Sequence, residues 1–95
     1  MIRSFRRQLA EDLFYDRYTG VTRRFPPELR TVARRKLQYL NAAHNLLDLL
    51  VPPGNRLEAL KGRLRGFHSI RINDQWRIIF RWEEGAREVE IVDYH

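Results

Sequence analysis

The chain has 95 residues, with 18 Lys+Arg against 12 Asp+Glu for a formal charge of +6, and it has no cysteine. That length supports one hydrophobic core rather than two, and the absence of thiols excludes a disulfide framework, a thiolate metal site and a cysteine nucleophile and fits a reducing compartment. Lys36 and Lys61 are the only lysines, so the surplus is arginine, whose planar fork of donors matches phosphate oxygens and points to nucleic acid ahead of a merely solvated basic surface or one quenched by an acidic partner chain.

Met1 to Arg7 lacks the apolar run and small-residue cleavage site of a signal peptide. Nowhere do about eighteen apolar residues follow one another, so the expectation is a soluble cytoplasmic protein. Ile2 and Phe5 suggest a short first strand. From Gln8 to Asp16, Leu9, Leu13 and Phe14 recur at helical spacing, and this short helix is expected to end before Gly20. Arg17 to Pro27 holds a glycine, two threonines, three arginines and a Pro-Pro pair without a period, which predicts a mobile loop.

Pro27 suits the first turn of a helix, and Leu29, Val32, Ala33, Leu37, Leu40 and Ala43 trace one apolar stripe along it. Its other side carries Arg30, Arg34, Arg35, Gln38 and Asn41, a basic face suited to RNA, to an acidic segment of a partner, or to plain solvent. Asn45 is placed to cap a short segment, Leu46 to Leu50, that Val51-Pro52-Pro53-Gly54 ends. Arg56 to Lys61 alternates as a strand, with Glu58 opposite Leu57 and Ala59. Gly62 and Gly66 bracket a basic loop holding Arg63 and Arg65.

Between Phe67 and Trp82 the residues alternate around Asn73-Asp74, a pair that suits a two-residue hairpin turn with positive φ. Trp76, Ile78, Phe80 and Trp82 then share the core face, and Gln75, Arg77, Ile79 and Arg81 the other. After Glu83-Glu84-Gly85, a last strand runs from Glu88. The reading is a single α+β domain over residues 1–95: a small antiparallel sheet with two or three N-terminal helices packed on one face.

His44, His68 and His95 are far apart and no H-E-x-x-H, P-loop or G-x-G-x-x-G occurs, so no metal or cofactor is expected. Neither Ser4 nor Ser69 sits in a nucleophile elbow. Metal-free RNA cleavage asks for less: a base for the 2′-hydroxyl proton, cations around the phosphorane and an acid for the leaving 5′-oxygen. The outward strand residues offer such groups. Glu58 or His95 can serve as base or acid, Lys61 and Arg77 can hold the phosphate, and Tyr94 can stack on a base or donate a proton. His68, in register with Ile70 and Ile72, is read as structural.

The run P-P-G-N-R-L-E-A-L-K-G, the block H-S-I-R-I-N-D-Q-W-R-I-I-F and the ending V-D-Y-H resemble the HigB branch of the RelE/ParE toxin superfamily. The opening I-R-S-F and the L-x-x-L-x-x-A that closes the long helix are similar as well, so the likeness spans the whole chain. The resemblance implies a RelE-like fold and the toxin half of a type II toxin-antitoxin pair. It further implies a ribosome-dependent endoribonuclease that enters the small-subunit decoding site and cuts translated mRNA, restrained by a HigA-type helix-turn-helix antitoxin. By the same resemblance Lys61 takes the place of the family's catalytic lysine, Arg77 that of its phosphate-binding arginine, and Tyr94 and His95 that of its C-terminal pair.

Two positions depart from the family's pattern. Glu58 stands where some members have histidine and Gln75 where some have asparagine; the amide survives, whereas a carboxylate is the weaker base. His95 is therefore assigned the acid/base role with Glu58 as the alternative base, and Arg63, Arg65, Gln75 and Arg34 are expected to contact RNA. A gyrase-poisoning ParE-type toxin without nuclease activity is the competing reading, and a non-catalytic RNA-binding domain a third.

Overall fold

The computed structural model describes residues 1–94. Three helices, α1 (Gln8–Phe14), α2 (Gly20–Arg23) and α3 (Arg30–Ala42), precede four strands, β1 (Glu58–Ala59), β2 (Phe67–Arg71), β3 (Trp76–Trp82) and β4 (Ala86–Asp93). The strands form one antiparallel sheet in sequence order. Helices α1 and α3 pack on one face of it, the α+β arrangement that the alternation of patterns implied. Pro27 opens a 3-10 turn, Pro27–Leu29, that feeds α3. Ala33, Leu37 and Leu40 from the α3 stripe are fully buried in one cluster with Ile70, Ile78 and Phe80 of the sheet, each of the larger side chains contributing roughly 1.5–3 kcal/mol by leaving water.

The strand alternation holds through β3. Ile78 lies across from Ile70 on one side and Ile91 on the other, all facing the helices, whereas Arg77 lies across from Arg71 and Val92 on the opposite face. His68 keeps its structural place, half-buried and stacked on Phe80 at 6.2 Å. At Glu88 (φ 51°) the β3–β4 pairing shifts by one residue, a bulge that twists the end of β4.

Several local expectations are corrected. The β2–β3 turn has no positive φ at Asn73 or Asp74. The Asn73 Oδ1 atom instead accepts from the backbone N–H groups of Gln75 and Trp76 at 3.0 and 2.7 Å, so a side chain closes the turn in place of left-handed backbone. The first strand is two isolated bridges, Ile2 to Ala86 and Phe5 to Val89, that lay the N-terminus parallel to β4. Gly85 permits this approach: its φ is 124°, and a Cβ there would stand 2.5 Å from the Met1 carbonyl oxygen. Only Glu58–Ala59 of the expected Arg56 to Lys61 strand pairs fully, because Arg56 turns left-handed (φ 47°) and Gly62 (φ 65°) starts a new turn. The short helical segment expected after Asn45 is present as a 3-10 helix, Leu46–Leu50, in which the Asp48 carboxylate accepts from the N–H groups of His44 and Asn45.

The segment from Arg17 to Pro27 is not a loop throughout, since it contains α2. Thr19 and Thr22 cap that helix reciprocally, and the Thr19 hydroxyl donates to the buried Asp12 carboxylate at 2.9 Å. Gln8 donates to the same oxygen at 2.8 Å and Arg17 approaches the other at 3.5 Å. Burial would raise the Asp12 pKa, but these hydrogen bonds and the nearby guanidinium outweigh it and hold the carboxyl below its ordinary 3.8. A lysine is also buried on α3. Lys36 is 8% exposed and donates to Asn55 Oδ1 at 2.6 Å, while the Asn55 amide donates to the carbonyls of Leu49 and Val51 at 3.1 and 3.4 Å. This relay pins the chain that leads into β1.

Two consequences can be measured. A depressed carboxyl pKa contributes stability above its unfolded value that is lost as pH falls through the folded value. Asp12→Asn should therefore lower stability at neutral pH, lose less of it on acidification than the parent in urea titrations, and speed amide exchange in α2. Asn55→Ala strands a buried ammonium and two carbonyls and should cost about 2–3 kcal/mol, part of which Lys36→Met in the same background should restore in denaturant unfolding.

Candidate active site

Directly opposed residues in an antiparallel sheet share a face. Glu58 opposes Ser69, Ser69 opposes Ile79 and Ile79 opposes Glu90, while Arg71, Arg77 and Val92 form the adjoining row. This is the face turned away from the helices. It has a small apolar patch of its own, in which Leu60, Phe67 and Ile79 are buried and Leu64 and Val92 pack at the margin. The patch seats the 3-10 turn Gly62–Leu64 against the sheet.

Arg77 is the centre of the face. Its side chain is 14% exposed, and its Nη1 donates to Glu58 Oε1 at 3.2 Å and to the Ser69 hydroxyl at 3.4 Å. The guanidinium carbon lies 5.2 Å from the centre of the Tyr94 ring. Gln75 explains why Tyr94 is there: its carbonyl accepts from the Tyr94 N–H at 2.6 Å and its side-chain amide donates to Asp93 Oδ2 at 3.0 Å. Gln75 thus ties the end of β4 to the start of β3. Arg71 is engaged by Asp74, whose carboxyl its hydrogen bond and charge hold below 3.8, and Arg81 by Glu88 at 2.9 Å.

Of the residues picked out in the sequence, Glu58, Arg77 and Tyr94 meet, with Gln75 behind them. Lys61 is exposed two residues beyond β1 and leads into the Gly62–Leu64 turn, where Arg63 and Arg65 are also exposed. Arg34 is not brought to this face. Because α3 packs on the other side of the sheet, Arg34 lines a separate cavity of about 520 Å³ with Arg17, Tyr18, Arg30 and Arg35. His95 lies outside the described residues. Sequence reasoning missed Arg6, Arg7, Glu90 and Asp93, which line a cleft of about 330 Å³ beside Tyr94 over Leu64, Ile79 and Val92. Arg7 Nε is 3.0 Å from Glu90 Oε2. An arginine pair after Phe5 was visible, but only the parallel bridges to β4 carry it to this edge.

A face of this kind offers one guanidinium and neighbouring cations to a phosphodiester, a carboxylate beside them and an aromatic ring for a base. Residues 3–95 match the family described as the RelE-like toxin of type II toxin-antitoxin system HigB. The chain is 44% identical over 73 residues, 77% of each protein, to Toxin HigB-1 of Vibrio cholerae. It is 33% identical over 92 residues, 95% of this chain and 91% of the other, to an uncharacterized protein of Haemophilus influenzae. A chain of the YoeB-YefM complex from Staphylococcus aureus shares the fold at TM-score 0.59 and 18% identity, over 100% of this chain and 98% of that one. No support for the ParE-type reading comes from these matches. The chain belongs to the HigB-like family of RelE-like toxins of type II toxin-antitoxin systems.

Proposed function

We propose that this toxin arrests translation as a ribosome-dependent, metal-independent endoribonuclease working in the cytoplasm, and that Arg77 with its neighbours is the catalytic centre. A type II toxin has an antitoxin partner, which we take to be a HigA-type helix-turn-helix protein. The observation that supports the reading best is the placement of Arg77 between a carboxylate, a hydroxyl and an aromatic ring on the open face of the sheet.

In the proposed reaction, a base removes the 2′-hydroxyl proton and the 2′-oxygen attacks the adjacent phosphorus. The bond to the 5′-oxygen breaks and that oxygen takes a proton, leaving a 2′,3′-cyclic phosphate and a 5′-hydroxyl end. Arg77 and Lys61 stabilise the charge that grows on the phosphoryl oxygens. Tyr94 stacks on a base beside the cut, and His95 exchanges the proton, with Glu58 as the alternative base. In the resting protein Glu58 occupies the guanidinium, so an incoming phosphate competes with it for Arg77. Arg63 and Arg65 hold the RNA backbone on the β1 side. Gln75, bonded to Asp93 and to the Tyr94 backbone, contributes by positioning the ring.

The face is open, with a cleft of about 330 Å³ beside it. The ribosome supplies the alignment that the protein lacks, and alignment of this kind is worth up to about 7–11 kcal/mol of barrier.

Cleavage of mRNA on programmed ribosomes should outpace that of the same RNA free in solution by several orders of magnitude; equal rates would refute ribosome dependence. A 2′-deoxy substitution at the cut nucleotide should abolish cleavage, and mapped ends should carry 2′,3′-cyclic phosphate. A hydrolytic, metal-activated water would instead tolerate the deoxy nucleotide. Arg77→Ala and His95→Ala should each abolish growth inhibition while leaving antitoxin binding intact, and a toxic Arg77→Ala variant would remove the site assignment. Tight RNA binding with no cleavage by the parent would favour the non-catalytic RNA-binding reading.

A further inference from the structure

Arg7 is held in a backbone conformation that belongs to glycine. Its φ of 70° and ψ of 163° place it in a region that side-chain-bearing residues avoid, and it precedes α1 without a side-chain cap. The turn from the N-terminal arm into α1 demands this backbone, and glycine would meet the demand without strain. The side chain must therefore return something. Its visible partner is Glu90, 3.0 Å from Nε, with Arg6 Nε 4.0 Å from the other carboxylate oxygen. The Arg7 side chain is 78% exposed, and an ion pair so open to solvent returns less than the backbone confinement takes.

The location supplies the missing reason. Arg6 and Arg7 stand on the rim of the cleft whose floor is Leu64, Ile79 and Val92 and whose wall is Tyr94. Val92 lies directly across from Arg77, and Glu90 is two residues further along β4 on the same face, a step of roughly 7 Å. Glu90 is 13% exposed and presents its carboxylate to both arginines, an internal anion in the place a second phosphate would occupy.

We propose that Arg7, assisted by Arg6, is a second phosphate site: it binds the phosphate adjoining the one held at Arg77, and the intervening nucleobase enters the cleft against Tyr94 and the apolar floor. The arginine exchanges Glu90 for the phosphate as the strand binds. This rests on the nuclease reading above and extends the RNA path from the β1 side of the face to the β4 edge.

The test combines stability with activity. Arg7→Gly relieves the backbone and should melt at or above the parent's temperature, yet cut mRNA on programmed ribosomes about ten-fold or more slowly, the loss expected for one charge-assisted phosphate contact. Arg7→Lys keeps a cation at the rim and should stay within about three-fold of the parent. An Arg7→Gly protein as fast as the parent, a fall in rate matched by a fall in melting temperature, or an Arg7→Lys protein no faster than Arg7→Gly overturns the assignment. Failure of the underlying reading shows differently: the parent itself leaves programmed mRNA intact, and the second site falls with it.

Discussion

The register of β3 is the constraint on which the other features depend. Ile78 and Phe80 reach the helices, and Arg77 and Ile79 the opposite face, only while Ile78 stays across from Ile70 and Ile91. A slip of one residue would turn a guanidinium into the core and both apolar side chains into water. The hairpins lock the register from both ends. At one, Asn73 uses its own side chain to satisfy two backbone donors; at the other, Glu84 and Gly85 take positive φ. The bulge at Glu88 then sets the rotation of β4, and with it where Glu90, Val92 and Tyr94 fall relative to Arg77.

Four arginines of the outward face and its β4 edge already have anions. Arg77 has Glu58, Arg71 has Asp74, Arg81 has Glu88 and Arg7 has Glu90. Repulsion among the guanidinium groups is thereby answered within the fold, and the face does not need a ligand to be stable. The pairs are also weak ones, since Glu58, Asp74, Arg81 and Arg7 are each close to half exposed or more, and such pairs contribute at most about 1 kcal/mol. A phosphodiester, which offers a guanidinium the same two-oxygen geometry, can replace a carboxylate at little cost. Under the nuclease reading, Glu58 is released from Arg77 at the moment RNA arrives, which is also when a free carboxylate beside the scissile phosphate becomes useful.

What the sequence disclosed and what it hid divide along physical lines. The α3 stripe and the β3 alternation were legible because burial imposes their periods on the chain, and the separation of Arg77 from Ile78 followed from them. Helix α2 was hidden because its four residues are too few to show a period; Asp12, seven residues before Thr19, anchors it. The burial of Lys36 had no sequence signal, and Asn55, brought to it through three dimensions, makes that burial tolerable. The same limit applies to the site. Glu58, Arg77 and Tyr94 were grouped by strand pattern and family likeness and the fold brings them together, whereas Arg6 and Arg7 reach Glu90 through a parallel pairing between the two ends of the chain, which no local pattern announces. Arg34 shares composition with the sheet face but belongs to the other layer.

That second layer completes the argument about charge. The helix side gathers Arg17, Arg30, Arg34 and Arg35 around a cavity of its own, so the net +6 of the chain is divided between the two layers. The strand arginines of the sheet side, answered by carboxylates, are poised for exchange more than for strong attraction. On the helix side Arg17 is paired with Glu11 and Asp12 at 3.4 and 3.5 Å, whereas Arg30, Arg34 and Arg35 have no carboxylate partner among the described residues. Under the nuclease reading, a protein arranged this way gains by docking through one surface on a large anionic body that presents a strand to the other. On that same reading, a divided charge and an open sheet face suit a cut whose geometry is completed outside the chain.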